Sequence, residues 1–587
     1  MSATQAVLSP KTRRWIIRDT DSAAEAVLAS ATGVSPLIAS LLIARGIRSA
    51  EEAARFLNPS LDHLHDPYLM LGMEAAVRRI QQAIAAGETI LIYGDYDVDG
   101  TTAVVLLKTA IERLGGTVRF HVPHRLREGY GMQREILEVA AREGIRLVIS
   151  VDTGIRAFAA AEAAAQLGLD LVVTDHHLPE ASLGLPKALA ILNPNQPGCQ
   201  YPCKHLCGAG VAFKLSQALL ELHDRNIAIT KLIPSFLKLL AIATVADSVP
   251  LLDENRVFVA IGIRELERPI HPGLRALLKV AQIDASRRAL TPIDIGFRLG
   301  PRINAAGRMD IASEVVELFT TRDSARAQSI AEKLEQLNTE RRNTEAAALA
   351  QILALLDQPE FDRSRCLVID GEGWHRGVIG ILASRVVERT GKPALVLAHE
   401  DGEAHGSGRS IPAFHLLNAI ESCHDLFTRF GGHAHAAGFS LPSSRVPELR
   451  DRLTAYAETH LSEADLGSPL ECDAALSLEQ VNESLYSSLK KLEPCGMDNE
   501  EPIFFAANLR VAAPPHIMKE KHIRLRLASS KVTISAVGWN CAEKLQALAL
   551  EPDSLIDLAY KVRKNNHPDF GGIELEIAEL RLAENSP

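Results

Sequence analysis

Apolar positions follow three regimes along the chain. Over roughly the first 75 residues they recur at helical spacing. Residues 35–57 carry apolar side chains three and four apart, broken at Gly46 and ended by Pro59, so small helices are expected there. From about residue 85 the pattern becomes short continuous apolar runs, at 89–93, 146–151, 169–174 and 188–192. Helical stretches separate them at 101–114, stopped by Gly115-Gly116, and at 157–167, which is rich in alanine. Strands buried on both faces read as unbroken apolar runs, so this alternation predicts a parallel sheet covered by helices. In such sheets ligands gather beyond the carboxyl ends of the strands.

Residues 322–358 contain neither proline nor glycine. At 1.5 Å per residue they form one helix on the order of 50 Å long, joining two lobes; two packed helices with a polar turn at 338–343 are the alternative. A second α/β pattern follows, with strands at 366–370 and 394–398 and a helix at 378–390 between them. Beyond 470, short alternating strands at 523–527, 532–537 and 573–577 predict a small β-barrel. The boundaries read in this way are a helical region 1–75, an α/β domain 76–320, a connecting helix 321–358, a second α/β domain 359–465 and a terminal barrel 466–587. A length of 587 residues fits several domains at about 150 residues each.

Composition narrows the class. Apolar residues make up 47% and charged residues 23%, as in ordinary soluble proteins. No continuous apolar run near the N-terminus marks a secretory signal, and no stretch of about 18 apolar residues marks a membrane span. A cytoplasmic protein without membrane attachment is expected. Of eight cysteines, only Cys199, Cys203 and Cys207 lie close together, and their spacing is not the CxxC of common zinc sites. Ordinary thiols in a reducing compartment are the better reading. The net charge of -10 leaves nucleic acid open as a ligand but demands local basic patches. Aromatics at 5% leave few rings for base stacking.

The chemistry sits at the predicted strand ends. Tyr93-Gly94-Asp95-Tyr96-Asp97-Val98-Asp99-Gly100 places three alternating carboxylates between a strand and a helix. Clustered carboxylates repel unless a cation neutralises them. A calcium loop of the EF-hand type is excluded because its twelfth position, a glutamate, is Leu106 here and a strand precedes the loop. Asp152 follows the second run, Asp175-His176-His177 the third, and Asp247 an apolar helix. A single aspartate at a strand end is commonly a helix cap. Their recurrence at successive strand ends points instead to a site of carboxylates and imidazole, which suits Mn²⁺ or Mg²⁺.

These motifs carry a resemblance. The chain is similar to the DHH phosphoesterase superfamily, named for the triplet at Asp175-His176-His177, and within it resembles the bacterial RecJ exonuclease family. The similarity extends over YGDYDVDGTTA at 93–103, VDTG at 151–154, TDHH at 174–177, ATVADSVPL at 243–251, GPRINAAGRMD at 300–310, GSGRSIPAFHL at 406–416, GGHAHAAG at 431–438 and LEPCGMDNEEPIF at 492–504. It implies a DHH catalytic domain with a parallel sheet, a DHHA1 substrate-binding domain beyond the long helix, and an OB-like single-strand-binding barrel.

The resemblance also implies roles. Asp97, Asp99, Asp152, His176 and Asp247 would hold two divalent ions, Mn²⁺ or Mg²⁺, with Asp152 bridging them. Other members of the superfamily often carry a histidine four residues before the first Asp of D-x-D; here that residue is Tyr93, and Asp95 is the candidate that fills the gap. His177 would lie beside the scissile phosphate and Asp175 would orient the histidines. Arg302, Asn304 and Arg308, expected in a loop before the long helix, would handle substrate; an interdomain salt bridge is their competing reading. Ser407 and Arg409, in a glycine-rich loop, would bind a 5′-terminal phosphate with Arg125 as helper, and Gly431-Gly432-His433 would form the substrate loop. Independently of the resemblance, Lys519, Lys521, Arg524, Arg526 and Lys531 cluster within thirteen residues of the predicted barrel, which reads either as a track for single strands or as the ordinary solvated charged face. The implied function is a 5′→3′ exonuclease on single-stranded DNA that releases 5′-mononucleotides in repair and recombination. It would act as a monomer, with a single-strand-binding protein and a helicase as partners. The alternatives are a phosphodiesterase for short oligonucleotides or cyclic dinucleotides, and an inactive DNA-binding replication scaffold.

Overall fold

The structure is a computed structural model that describes residues 14–19, 21–124, 128, 131–180, 182–309, 312–358, 361, 363–467, 469–546, 548–565 and 571–583. It divides into two compact units. One comprises Met1–Arg18 and Thr339–Ala475, the other Asp19–Asn338 and Leu476–Pro587.

The first unit contains an element that hydrophobic spacing did not predict. Trp15–Ile17 (β1) is a strand, not part of a helical region, and pairs in parallel with Leu470–Cys472. Three residues cannot show a period, so this strand exists only through its distant partner. The remaining sheet has the order β10-β11-β9-β8-β7 and comprises Leu367–Glu372 (β7), Ala394–Glu400 (β8), Glu403–Arg409 (β9), Arg429–Gly432 (β10) and Ala436–Pro442 (β11). Only β7 and β8 run parallel, around the helix Ile379–Thr390. The last three strands are antiparallel and correct the sequence reading, which took 406–410 and 431–433 as loops. Their glycines and alternating small residues hide the period of two.

The second unit is built on a five-stranded parallel sheet of order β3-β2-β4-β5-β6, formed by Thr89–Tyr93 (β2), Thr117–His121 (β3), Leu147–Val151 (β4), Asp170–Thr174 (β5) and Ala190–Leu192 (β6). Its apolar runs are explained by burial on both faces. Ile90, Ile92, Leu147, Ile149 and Val172 enter one core with the helices Val98–Arg113, Gly208–Ile227 and Ile233–Ala246. Leu91, Tyr93, Val148, Leu171 and Val173, one step out of phase, enter the other with Arg134–Arg142 and Phe158–Gln166. The expectation that no segment is apolar enough for a membrane span needs correction. Gly208–Ala246 meets that test by length and composition, with 56% of its most apolar window inside the protein. Buried core helices pass the same test.

At the N-terminal side, Pro36–Ala44 and Ala50–Leu57 flank Gly46, each started by a serine cap, Ser35 and Ser49. Residues 324–356 form a single helix, Ser324–Leu356, of 33 residues. At the other end of the chain, Phe504–Val511, Leu555–Asn565, Gly572–Leu582, Thr533–Gly538 and His522–Ala528 pair in that order, and the last pairs back to the first, closing the ring.

Candidate metal centre and substrate surface

Register brings the acidic motifs together. Tyr93 lies opposite Ser150, and Val151 opposite Thr174, so the residues that follow all three strands emerge at one edge. Asp97 caps Val98–Arg113, with Oδ1 accepting from the Gly100 amide at 3.0 Å. Asp99 accepts from the amides of Gly208 and Ala209 at 2.5 and 2.9 Å, at the positive end of Gly208–Ile227. Asp152 has a φ of 59°, a left-handed conformation that a non-glycine residue holds only under constraint. Its Oδ1 is 3.2 Å from His176 Nε2, and Asp247 Oδ2 is 3.9 Å from Nδ1 of the same ring. Three groups offer ligand atoms within 4.8 Å of one another: Asp95, Asp97 and Asp152; Asp99, His176 and Asp247; Asp152, His176 and His177.

Asp175 has a different place. Its carboxylate accepts from the amides of Ile155, His176 and His177 and from His177 Nδ1 at 2.7 Å. The histidine pair is therefore oriented from behind, while Asn193 and Asn195 donate to the carbonyls of His177 and His176. Tyr93 is fully buried and turned to the opposite side of the sheet, where its hydroxyl donates to the Gly131 carbonyl and accepts from the Gln133 amide.

Electrostatics show what the cluster lacks. Burial, then repulsion from neighbouring carboxylates, raises the Asp152 and Asp247 carboxyls well above the ordinary range, and raises Asp97 as well. Burial lowers His176. For His177 burial is the largest influence and lowers, but the bond to Asp175 and the attraction of the Asp175, Asp99 and Asp95 charges together outweigh it and the net shift is upward; Asp175 is held low against its own burial by that bond, the charges of His177 and His176 and the Ile155 amide together. Asp152 Oδ1 and Asp247 Oδ2 are buried without a hydrogen-bond partner among the described residues. Unpartnered buried carboxylate oxygens are costly, and hard oxygens with one imidazole suit Mn²⁺ or Mg²⁺, so the residues fit divalent ions.

Comparison with known proteins gives the family. The family model for the DHH family, N-terminal domain, matches residues 89–244, that for the DHHA1 domain residues 363–459, and that for the RecJ OB domain residues 472–579. The single-stranded-DNA-specific exonuclease RecJ of Escherichia coli (strain K12) is 37% identical over 568 residues, covering 93% of this chain and 96% of that protein. This chain belongs to the RecJ family. The Bacillus subtilis (strain 168) RecJ is 36% identical, covering 97% of this chain and 71% of its own. Among solved structures, that of Thermus thermophilus RecJ in complex with Mn²⁺ matches with a TM-score of 0.81 and 28% identity, covering 97% of this chain and 80% of that one.

The substrate candidates fall in several places. Arg302, Asn304 and Arg308 are on a helix, Gly300–Met309, not in the loop expected before the long helix. Arg302 pairs with Glu335 and donates to the Arg298 carbonyl, so its charge is engaged inside the unit. Asn304 accepts from the Val98 amide at 3.2 Å and braces the acidic turn. Arg125 lies outside the described residues. Ser407 and Arg409 are on β9, where Arg409 donates to Ser407 Oγ at 3.2 Å. Gly431 and Gly432 are exposed on β10, and His433 follows them, with Nδ1 accepting from the His435 amide.

Sequence reasoning missed three contributors. The amides of Gly208 and Ala209 hold Asp99, and the small residues of Gly208-Ala209-Gly210 were the signal. Gly380, in the first turn of Ile379–Thr390, faces Ser407 and Arg409 so closely that an added Cβ would lie 3.1 Å from Ser407 Oγ and 3.2 Å from Arg409 Nη2. Trp539 is 52% exposed and meets His522 edge to face at 5.1 Å.

In the barrel, Ile523, Leu525 and Leu527 point inward, and Arg524 and Arg526 alternate with them. Lys519 and Lys521 are exposed at one end of that strand and Lys531 beyond the other, while Arg524 approaches Glu574 at 3.9 Å. Cys199, Cys203 and Cys207 are buried reduced thiols, and none of them falls in a metal-competent group among the described residues.

Proposed function

We propose that this chain is a Mn²⁺- or Mg²⁺-dependent exonuclease that removes 5′-mononucleotides from the 5′ end of single-stranded DNA. The observation that carries the reading is the cluster of Asp95, Asp97, Asp99, Asp152, His176 and Asp247 at one edge of the parallel sheet of a RecJ-family chain, in which buried oxygens of Asp152 and Asp247 make no hydrogen bond among the described residues. Asp97, Asp99, Asp152, His176 and Asp247 would hold two ions, with Asp152 between them and Asp95 in place of the histidine that members of the superfamily outside the exonucleases often carry. When bound, such ions activate water and neutralise the charge that develops in displacement at a phosphodiester.

The chain's own residues do the rest. The amides at Gly208 and Ala209 fix the Asp99 carboxylate. Asp175 fixes the ring of His177 through Nδ1 and favours its protonated form, so Nε2 presents a donor for a phosphate oxygen. On the DHHA1 domain, Ser407, Arg409 and the first turn of Ile379–Thr390 form a donor set for the terminal phosphate, which carries close to -2 charge at neutral pH. Lys519, Lys521, Arg526 and Lys531 with Trp539 offer the barrel a charged and stacking surface for single strands. A cytoplasmic, monomeric enzyme working beside a single-strand-binding protein and a helicase in repair and recombination completes the reading.

The test is digestion of long single strands labelled at either end, with Mn²⁺ present. Early release of label as mononucleotide from the 5′ end alone is expected. Release from the 3′ end, or internal cuts, would overturn the assignment.

A further inference from the structure

Among the candidate ligands, Asp97 and Asp99 are held by backbone amides, but Asp247 Oδ2 has no hydrogen-bond partner among the described residues. The position of its carboxylate is therefore inherited from its backbone. Asp247 ends the helix Ile233–Ala246, and Ser248 follows at φ 58°. Four residues after Asp247, Leu251 is 2% exposed, and its amide donates to the Met497 carbonyl at 2.8 Å. The side chain of Leu251 fills the space beside Gly496, where an added Cβ would lie 2.6 Å from Cδ1 and 3.0 Å from Cγ.

Gly496 and Met497 belong to the segment that leads into the terminal barrel, and that segment is rigid. Gly496 and Asn499 exchange backbone bonds at 3.0 and 3.1 Å. Asn499, fully buried, donates to the carbonyls of Leu492 and Pro494 and accepts from Arg45 Nε at 2.6 Å. The buried guanidinium of Arg256 donates to the carbonyls of Lys491, Leu492, Glu493 and Pro494. From the other side, Asn255 Nδ2 donates to the Pro250 carbonyl at 3.0 Å. The short loop 248–251 is thus clamped between the catalytic domain and the barrel's lead-in turn.

We infer that Gly496 and Met497 are positioning residues for Asp247, so that the seating of the barrel's lead-in turn sets metal affinity at the catalytic centre. The inference rests on the reading of Asp247 as a metal ligand. The barrel is then more than a handle for DNA, because its attachment finishes the metal site. Gly496 carries no side chain because Leu251 occupies that volume, and Leu251 carries the constraint back to Asp247.

The test uses the full chain and Mn²⁺ binding by isothermal titration calorimetry, beside single-strand affinity measured with chelator and a thermal melt. Gly496→Val should weaken Mn²⁺ about tenfold or more, the range for residues that orient a ligand, and leave single-strand affinity unchanged. Leu251→Ala combined with Gly496→Val removes the two atoms that a new side chain would strike and should restore much of the loss. If Gly496→Val fails to fold, Gly496→Ala is read in its place. Asp247→Asn separates the two readings. If Asp247→Asn weakens Mn²⁺ while a folded Gly496 variant binds it as the wild type does, the positioning role is overturned. If Asp247→Asn itself leaves Mn²⁺ affinity unchanged, the ligand reading fails and the inference falls with it.

Discussion

At the scale of the residue, the site is a set of charges that the fold has forced together. Asp152 is held at positive φ, buried, and beside an imidazole whose burial lowers its pKa. Asp152→Asn preserves shape and tolerates the same backbone conformation. It should abolish hydrolysis and raise, or leave unchanged, the melting temperature without metal, because one repelling charge is gone. Near-normal turnover in a folded variant would remove Asp152 from the centre. The raised carboxyls also set a pH dependence. A carboxyl whose folded value is raised contributes stability that is present at low pH and is lost as pH rises through that value. The metal-free protein should therefore weaken as Asp152 and Asp247 ionise, while metal binding, which needs the ionised forms, strengthens. The gain in melting temperature on adding Mn²⁺ should grow as pH rises through the range in which these raised carboxyls ionise; a gain that shrinks as pH rises would contradict the assignment. Those aspartates were legible from the sequence as residues at predicted strand ends. Their strain and mutual distance were not, because neither is a property of a local segment.

At the scale of the element, one helix start holds a carboxylate and a second is the start that the proposed reading gives to the terminal phosphate. Gly208–Ile227 opens on Asp99, and Ile379–Thr390 opens beside Ser407 and Arg409. Gly380 leaves room at the second start. Gly380→Ala places a Cβ against Arg409 and Ser407, and Arg409→Ala removes the guanidinium. Charge-assisted hydrogen bonds are worth roughly 1.5–3 kcal/mol each, so Arg409→Ala should lower the preference for 5′-phosphate over 5′-hydroxyl strands by about ten- to a hundredfold. Gly380→Ala should act in the same direction. The ratio of kcat/KM for the two ends measures it, and an unchanged ratio in Arg409→Ala would assign the terminus to other residues. The sequence displayed Ser407 and Arg409 in a glycine-rich run, and we expected a loop. They are on a strand because pairing with β8 and β11 outweighs the weak strand preference of glycine.

At the scale of the molecule, described segments far apart in the sequence are woven together within each unit. A cut near residue 470, which the domain boundaries read from the sequence invite, would take the pairing partner from β1 and the carbonyl acceptors from buried Arg256. A truncated chain should therefore lose stability as well as single-strand affinity. Arg256→Leu tests the stability part alone. It strips charged donors from four carbonyls of the lead-in segment and one at Phe56, and should cost at least about 3 kcal/mol in chemical denaturation. A cost under about 1 kcal/mol would mean that water replaces the guanidinium and that the barrel is loosely seated.

The sequence by itself determined the elements whose pattern is local: the parallel sheet with its out-of-phase apolar faces, the long helix without proline or glycine, and the acidic residues that follow each strand. Motif order determined the family. Tertiary structure alone decided the rest. It paired β1 with a strand more than 450 residues away, turned Tyr93 from the site and brought Asp95 into it. It also set the Gly208 and Ala209 amides on Asp99, and seated the barrel's lead-in turn against the loop after Asp247. The physical reason is range. Periodicity and capping act over a few residues, whereas the distance between two carboxylates depends on strand register, and a buried guanidinium depends on carbonyls supplied from the far end of the chain.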